Sequence, residues 1–272
     1  MSRERERLAL NRLLIRHERL TERDLAKAFR AMGQQIETDR EAGFRDIRRE
    51  IFTETEQEIA RILRARLTQI ARLYGDRTLT RLERLSPKSY YGRVVRGPVR
   101  GRDFVALEHK QAREIFEAAI RSWIELRALD AAVTVMGPAR ELVRAAIAQG
   151  NSEGLGEAGI VKLIRQSVRE LTGWRAARIA RTETHTAANV GSDEAARSTG
   201  LEIVKEWLSA EDARVRSSHA SADGQEVARD DAFSVGGARL MFPGDPAGPA
   251  KEIINCRCTT LHHPVIDGEV IR

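Results

Sequence analysis

The chain has 272 residues, 42% of them hydrophobic and 32% charged, an apolar share that supports a folded core and excludes full-length disorder. Its 46 Lys and Arg exceed its 40 Asp and Glu by six, and no apolar run is long enough to cross a bilayer as a helix. Two cysteines, Cys256 and Cys258, cannot build a disulfide framework, so folding in a reducing compartment is expected. The opening Met1–Arg7 has no apolar signal core, so export through a signal is not expected either.

The charge is uneven along the chain. Residues 1–150 carry 31 cations and 22 acids, and residues 151–272 carry 15 and 18, so a polyanionic partner is expected to meet the first half. That half is rich in Arg, Glu, Leu, Ala and Ile, which favours helix. A first helix is predicted over Leu8–Met32, ending near Gly33. A second follows over Phe44–Tyr74, where apolar residues recur in steps of three and four. A third starts after Asp103 and runs towards Met136, and Pro138 is placed in the first turn of a further short helix.

Between the second and third helices, Arg84–Arg102 holds six cations and no acid. Arg84, Lys88, Arg93, Arg96, Arg100 and Arg102, with Tyr90 and Tyr91 among them, are the candidate nucleic-acid-binding residues. Charge with stacking side chains is how sequence-tolerant contacts to DNA are built. A solvated loop, or one that meets an acidic protein surface, fits the same composition.

Gly150–Gly159 carries four glycines in ten residues and reads as a joint between a region 1–150 and a module 151–272. It also spells Gly154-Leu155-Gly156-Glu157-Ala158-Gly159, the letters of the dinucleotide fingerprint. The fingerprint needs a strand before it, and the preceding segment reads as helix, so nucleotide binding is not expected. Two helices follow, Ile160–Leu171 and Trp174–Ser198. Strands are then predicted at Glu202–Leu208, Gln225–Val227, Phe233–Val235, Arg239–Phe242 and Ile253–Leu261, separated by turn residues. The fold class is α+β: long amphipathic helices, then a helix pair with a small antiparallel sheet.

The polar residues of the second half fall in an ordered series: Arg181-Thr182-Glu183-Thr184 inside an Ala-rich helix, Trp207, Asp212 with Arg214 and Arg216, His219, Asp223-Gly224, Phe233, Pro243-Gly244-Asp245 and Asn255-Cys256-Arg257-Cys258. Taken in order, this series resembles the phage head morphogenesis family typified by the F protein of phage Mu, over roughly Gly156–His263. The resemblance implies a non-enzymatic minor head protein of a tailed phage, present in several copies at the portal vertex inside the virion head and made in the bacterial cytoplasm. It implies the portal protein as partner, with packaged DNA and the major capsid protein as further contacts, and no membrane. Roles in head morphogenesis and in DNA packaging or ejection follow from it.

The motif residues Arg181, Thr182, Glu183, Trp207, Asp212, Arg214, His219, Asp223, Gly224, Asn255, Cys256 and Cys258 read more readily as a structural network than as a catalytic site. Arg181 and Glu183 are expected to satisfy each other or loop amides and carbonyls. Asp212 is expected to cap a turn, and Asp223-Gly224 to form a hairpin turn. No cofactor is expected. Zinc is the exception considered, with His219, Cys256, Cys258 and His262 as candidates, because thiolates and imidazoles suit it. On an extended strand, however, Cys256 and Cys258 would sit about 6.6 Å apart, whereas two thiolates on one zinc must approach to about 4 Å. A local turn, or only one Cys as ligand, would be required, so thiols packing as small hydrophobes are expected. The rival reading is a metal-dependent hydrolase or nuclease using His219, Asp223, Cys256 and His262. A DNA-condensing or scaffolding factor is the third.

Overall fold

A computed structural model describes residues 3–44, 46–92, 94–96 and 103–272, with side chains for all of these except 94–96, 103 and 104. The class is α+β, as read from the sequence. Four long helices lead: α1 (Arg3–Glu41), α2 (Arg49–Leu85), α3 (His109–Ser152) and, after the shorter α4 (Glu157–Glu170), α5 (Ala176–Ser198). A short hairpin of β1 (Val94–Arg96) and β2 (Asp103–Val105) separates α2 from α3. None of the described helices is long and apolar enough to cross a membrane.

The helices run further than their composition predicts. Gly33 does not end α1. A Cβ there would lie 2.7 Å from Val168 Cγ2, so the glycine admits close approach of α4. A helix-interior glycine costs about 1 kcal/mol, which buried Leu25, Phe29, Met32 and Ile36 on the same helix offset. Gly75 within α2 plays the same part for Phe116, whose ring carbon would be 2.1 Å from an added Cβ. Pro138 lies inside α3 rather than at the start of a new helix. The missing N–H forfeits one hydrogen bond, but Ala132, Met136, Ala139 and Val143 keep a continuous buried face across it. Between α4 and α5 the chain breaks at Gly173, whose φ of −92° and ψ of −118° are non-helical.

Compactness divides the residues into two units: residues 1–15, 67–124 and 181–272 in one, and 16–66 with 125–180 in the other. The stretch 151–272 is thus shared between both units. The second unit is helical, and many of its arginines are engaged with acids on other helices. Arg66 meets Asp24, Arg140 meets Glu56, Arg165 meets Glu37, and Arg40, almost fully buried, holds Glu157 with two contacts of 2.8 and 2.9 Å. The exposed Arg165–Glu37 pair contributes about 0–1 kcal/mol, whereas removing one partner of the more buried Arg40–Glu157 pair would leave a charge uncompensated.

The first unit contains the sheet, in the order β4 (Glu226–Ala228), β3 (Ile203–Leu208), β7 (Thr259–Ile266), β8 (Glu269–Val270), all antiparallel. Every residue of β3 and β7 is buried, because both faces are covered. On one face, His262 meets α5 through Asp193, and Trp207 packs with Phe233, Val235, Leu240, Cys256 and Cys258. On the other, Glu206 and His263 meet Arg3 of α1 and Arg81 of α2. A second hairpin pairs β5 (Phe233–Val235) with β6 (Ala238–Leu240). The strand expected over Ile253–Leu261 begins only at Thr259; Ala250–Ile253 is a single helical turn (α7), after α6 (Ser217–Ser221). Asp223-Gly224 turns the chain between α6 and β4 rather than within a hairpin, with the Gly224 amide donating to the Trp207 carbonyl at 2.9 Å.

Candidate functional site

The motif residues converge on two loops that α5 holds in place. Arg181 donates to Asn255 Oδ1 at 3.1 Å, and the Asn255 amide donates to Thr182 Oγ1 at 3.1 Å. Thr186 donates to the Gly244 carbonyl at 2.9 Å. Asn189, one turn on and buried, donates to the carbonyls of Pro243 (3.0 Å) and Cys258 (3.1 Å) and accepts the Thr260 amide at 3.0 Å. The loop Pro243–Asp245 is closed by Asp245, which accepts from the amides of Met241 and Ala247. Arg181 thus reaches the Asn255 loop, one of the contacts expected of it, and Glu183 beside it is buried.

The second loop brings the chemistry together. Asn255 has a φ of 61°, a left-handed conformation that asparagine tolerates better than most residues. The chain therefore turns ahead of Cys256 instead of extending, and the strand geometry that would separate the thiols does not apply. Cys256 Sγ lies 3.6 Å and Cys258 Sγ 3.4 Å from His219 Nδ1, with all three side chains buried. His219 comes from α6, and its other ring nitrogen lies 3.2 Å from Glu252 Oε2 of α7, which also accepts from Ser218 Oγ at 2.9 Å. Trp207 meets the His219 ring edge-on, with centroids 5.4 Å apart. Arg216 donates to the Ile254 carbonyl and so ties α6 to the same loop. Hydrogen bonding with Cys256 and then with His219 holds the Cys258 thiol well below the usual range despite its burial. The same hydrogen bond and burial push Cys256 well above it.

The remaining candidates lie elsewhere. Asp212 accepts the Arg214 amide at 2.9 Å and pairs with Arg257, which fits its expected turn-capping role. Asp223 accepts from the Ser209 amide at 2.7 Å and from Arg3 at 2.9 Å. His262 is not with the cysteines; its Nε2 is 3.5 Å from Asp193 Oδ1. The four residues of the hydrolase reading are therefore distributed over three separate sets of contacts. Thiol, imidazole and carboxylate do line up as Cys258–His219–Glu252, the order of an activated nucleophile, but all three are buried. A cleft of about 370 Å³ lined by Arg77, Arg81, Arg84 and His262 includes none of the three.

Sequence reading missed Glu252 and Lys205. Glu252 stands four residues before Cys256, within reach of a turn, and this spacing was its only signal. Lys205 is fully buried in β3, where its Nζ donates to the Met241 carbonyl at 2.6 Å and lies 5.3 Å from the Phe233 ring centre. Burial lowers its pKa, opposed by Asp193.

Of the candidate nucleic-acid residues, Arg84 is exposed in the last turn of α2 and Lys88 is exposed in the short turn after it. Arg93, Arg100 and Arg102, and the side chain of Arg96, lie outside the described residues. Tyr90 and Tyr91 pack against a core of Leu82, Ala106, Ala196, Leu201 and Ile203, and Tyr90 Oη donates to Asp267 at 2.5 Å. Both rings are therefore engaged in packing, contrary to a role as free stacking platforms.

One pH dependence follows from the His262 pocket. Burial pushes the imidazole below its usual pKa, against the pull of Asp193, with Lys205 and His263 adding to the lowering. The unfolded chain takes up this proton near pH 6.5, the folded chain only at lower pH, so acidification favours unfolding. Burial alone would raise Asp193, but His262, Lys205 and Arg197 hold it below its usual value, which adds a further loss in the carboxylate range. The urea midpoint is expected to fall as pH drops from about 7 to 5. A midpoint that rises over that interval contradicts the assignment.

Comparison with known proteins places the site in context. Residues 141–261 match the family model described as Phage Mu protein F like protein, close to the Gly156–His263 span of the motif series. A protein named NAD(+)--arginine ADP-ribosyltransferase EFV, from Enterococcus faecalis, is 37% identical over 125 residues, covering 45% of this chain and 25% of that protein. Minor head protein GP7 of Bacillus phage SPP1 is 33% identical over 130 residues, covering 46% of this chain and 40% of that protein. The chain thus spans less than half the length of either relative. No solved structure matches.

Proposed function

We propose that the chain is a minor head protein of a tailed phage, located in the virion at the portal vertex and acting in head morphogenesis and in DNA packaging or ejection. The observation that carries this reading is the Phage Mu protein F like match over residues 141–261, together with the relative named as a minor head protein. The portal protein is the proposed main partner. Leu126, Leu129 and Val133 support this: they lie in steps of three and four on α3, with 75, 53 and 58% of their surface exposed. Such an apolar stripe suits docking against another helical protein. Quantitative mass spectrometry of purified mature particles tests the reading.

A non-enzymatic role is proposed with it. The motif side chains are occupied in holding loops, and the Cys258–His219–Glu252 series is buried. The transferase name belongs to a protein of which the match covers 25%.

Packaged DNA is the proposed second contact, through Arg84, Lys88, Arg93, Arg96, Arg100 and Arg102. Replacing Arg93, Arg96, Arg100 and Arg102 with glutamine removes up to four phosphate contacts. The slope of log affinity against log salt on duplex DNA is then expected to flatten by up to about 3.6. An unchanged slope removes this segment from the DNA reading.

A further inference from the structure

We propose that His219, Cys256 and Cys258 form a binding site for a thiophilic divalent metal, zinc by chemical class, which ties α6 to the loop before β7. The three ligand atoms lie within 4.8 Å of one another and are buried. Zinc–sulfur bonds of about 2.3 Å and zinc–nitrogen bonds of about 2.0 Å, set at tetrahedral angles, place sulfur and nitrogen about 3.5 Å apart. The two sulfurs lie 3.4 and 3.6 Å from His219 Nδ1.

Hydrogen bonding alone accounts for this arrangement less well. A neutral imidazole nitrogen offers one lone pair, yet two sulfurs converge on Nδ1. Glu252, 3.2 Å from Nε2, fixes the tautomer: Nε2–H donates to the carboxylate, and the Nδ1 lone pair faces the thiols. A carboxylate behind a histidine in this way is the usual support of a metal-bound imidazole. Ser218 in turn holds Glu252. Charge is compatible with it, since two thiolates and a divalent ion sum to zero in a buried site.

Binding forms two metal–sulfur bonds and one metal–nitrogen bond. Each thiol that carries a proton gives it to solvent as its bond forms, and an exogenous donor such as water completes four-coordination. Residues from α6 and from the loop after α7 would then be joined at one point, a staple of the kind that small, core-poor modules gain from most. His262, on the same face of the sheet but paired with Asp193 of α5, takes no part.

The test uses the full chain without a histidine tag, purified from zinc-supplemented medium. Elemental analysis is expected to find about one zinc per chain. Replacement by cobalt is expected to give a thiolate-to-metal charge-transfer band that Cys256→Ser and Cys258→Ser each weaken. Glu252→Gln, which keeps size and hydrogen bonding, is expected to lower zinc affinity about 10- to 100-fold while far-ultraviolet circular dichroism stays unchanged. Less than about a tenth of a zinc per chain in the unaltered protein, or a cobalt form without the thiolate band, overturns the proposal. Full metal retention in the Cys258→Ser variant does so as well.

Discussion

Asn189→Ala is expected to lower the stability of the first unit by about 4 kcal/mol, read as a shift of the urea midpoint. The side chain is buried and contacts three carbonyls and an amide, those of His185, Pro243, Cys258 and Thr260. Alanine removes it without moving the partners to water. The Thr260 amide and the Pro243 and Cys258 carbonyls each then lose a buried partner, at about 1–3 kcal/mol apiece. Set against the 5–15 kcal/mol that stabilises an ordinary domain, that is a large share. Because Asn189 also fixes the Cys258 backbone, the variant is expected to loosen the thiol pair. A loss below about 1 kcal/mol would show that the two loops are held by something other than this amide.

Gly191→Ala is expected to cost about 3 kcal/mol or more. A Cβ at this position of α5 would lie 2.2 Å from the Ala71 carbonyl oxygen and 2.7 Å from its Cα. Both are backbone atoms of α2, so neither can swing aside as a side chain would, and the helices must separate. Ala71, Ala187, Ala188 and Ala195 are fully buried, which shows how much of this contact relies on small residues. A neutral effect on the thermal midpoint would contradict the close approach.

These two residues mark where the sequence could be read and where it could not. The Ala-rich character of Trp174–Ser198 was visible, and so was the ordered series from Arg181 to Cys258. Composition and periodicity together located the long helices. They could not locate the helix ends, because Gly33, Gly75 and Pro138 are tolerated inside helices where packing on a neighbour outweighs local preference. The Ile253–Leu261 strand was misread for a related reason. Nothing in Asn255-Cys256-Arg257-Cys258 announces a left-handed asparagine, and without that turn the thiols appear too far apart for a shared ligand. Glu252 was missed because a charged residue in an ordinary polar context gives no sign of burial, and Lys205 because a lysine in a strand is expected to face solvent. The long helices α1, α2 and α3 also pass through both compact units, an arrangement that no composition shift at Gly150–Gly159 reveals.

The proposed place of this chain in a virion is tested most directly by counting it there. Mature particles are purified, and the protein is quantified by mass spectrometry against the portal protein of the same particles as internal standard. A protein that acts at one vertex and docks through the exposed stripe of α3 is expected at a ratio to portal of about one or a small fraction of one. Absence from mature heads, or a copy number equal to that of the major shell protein, would contradict it.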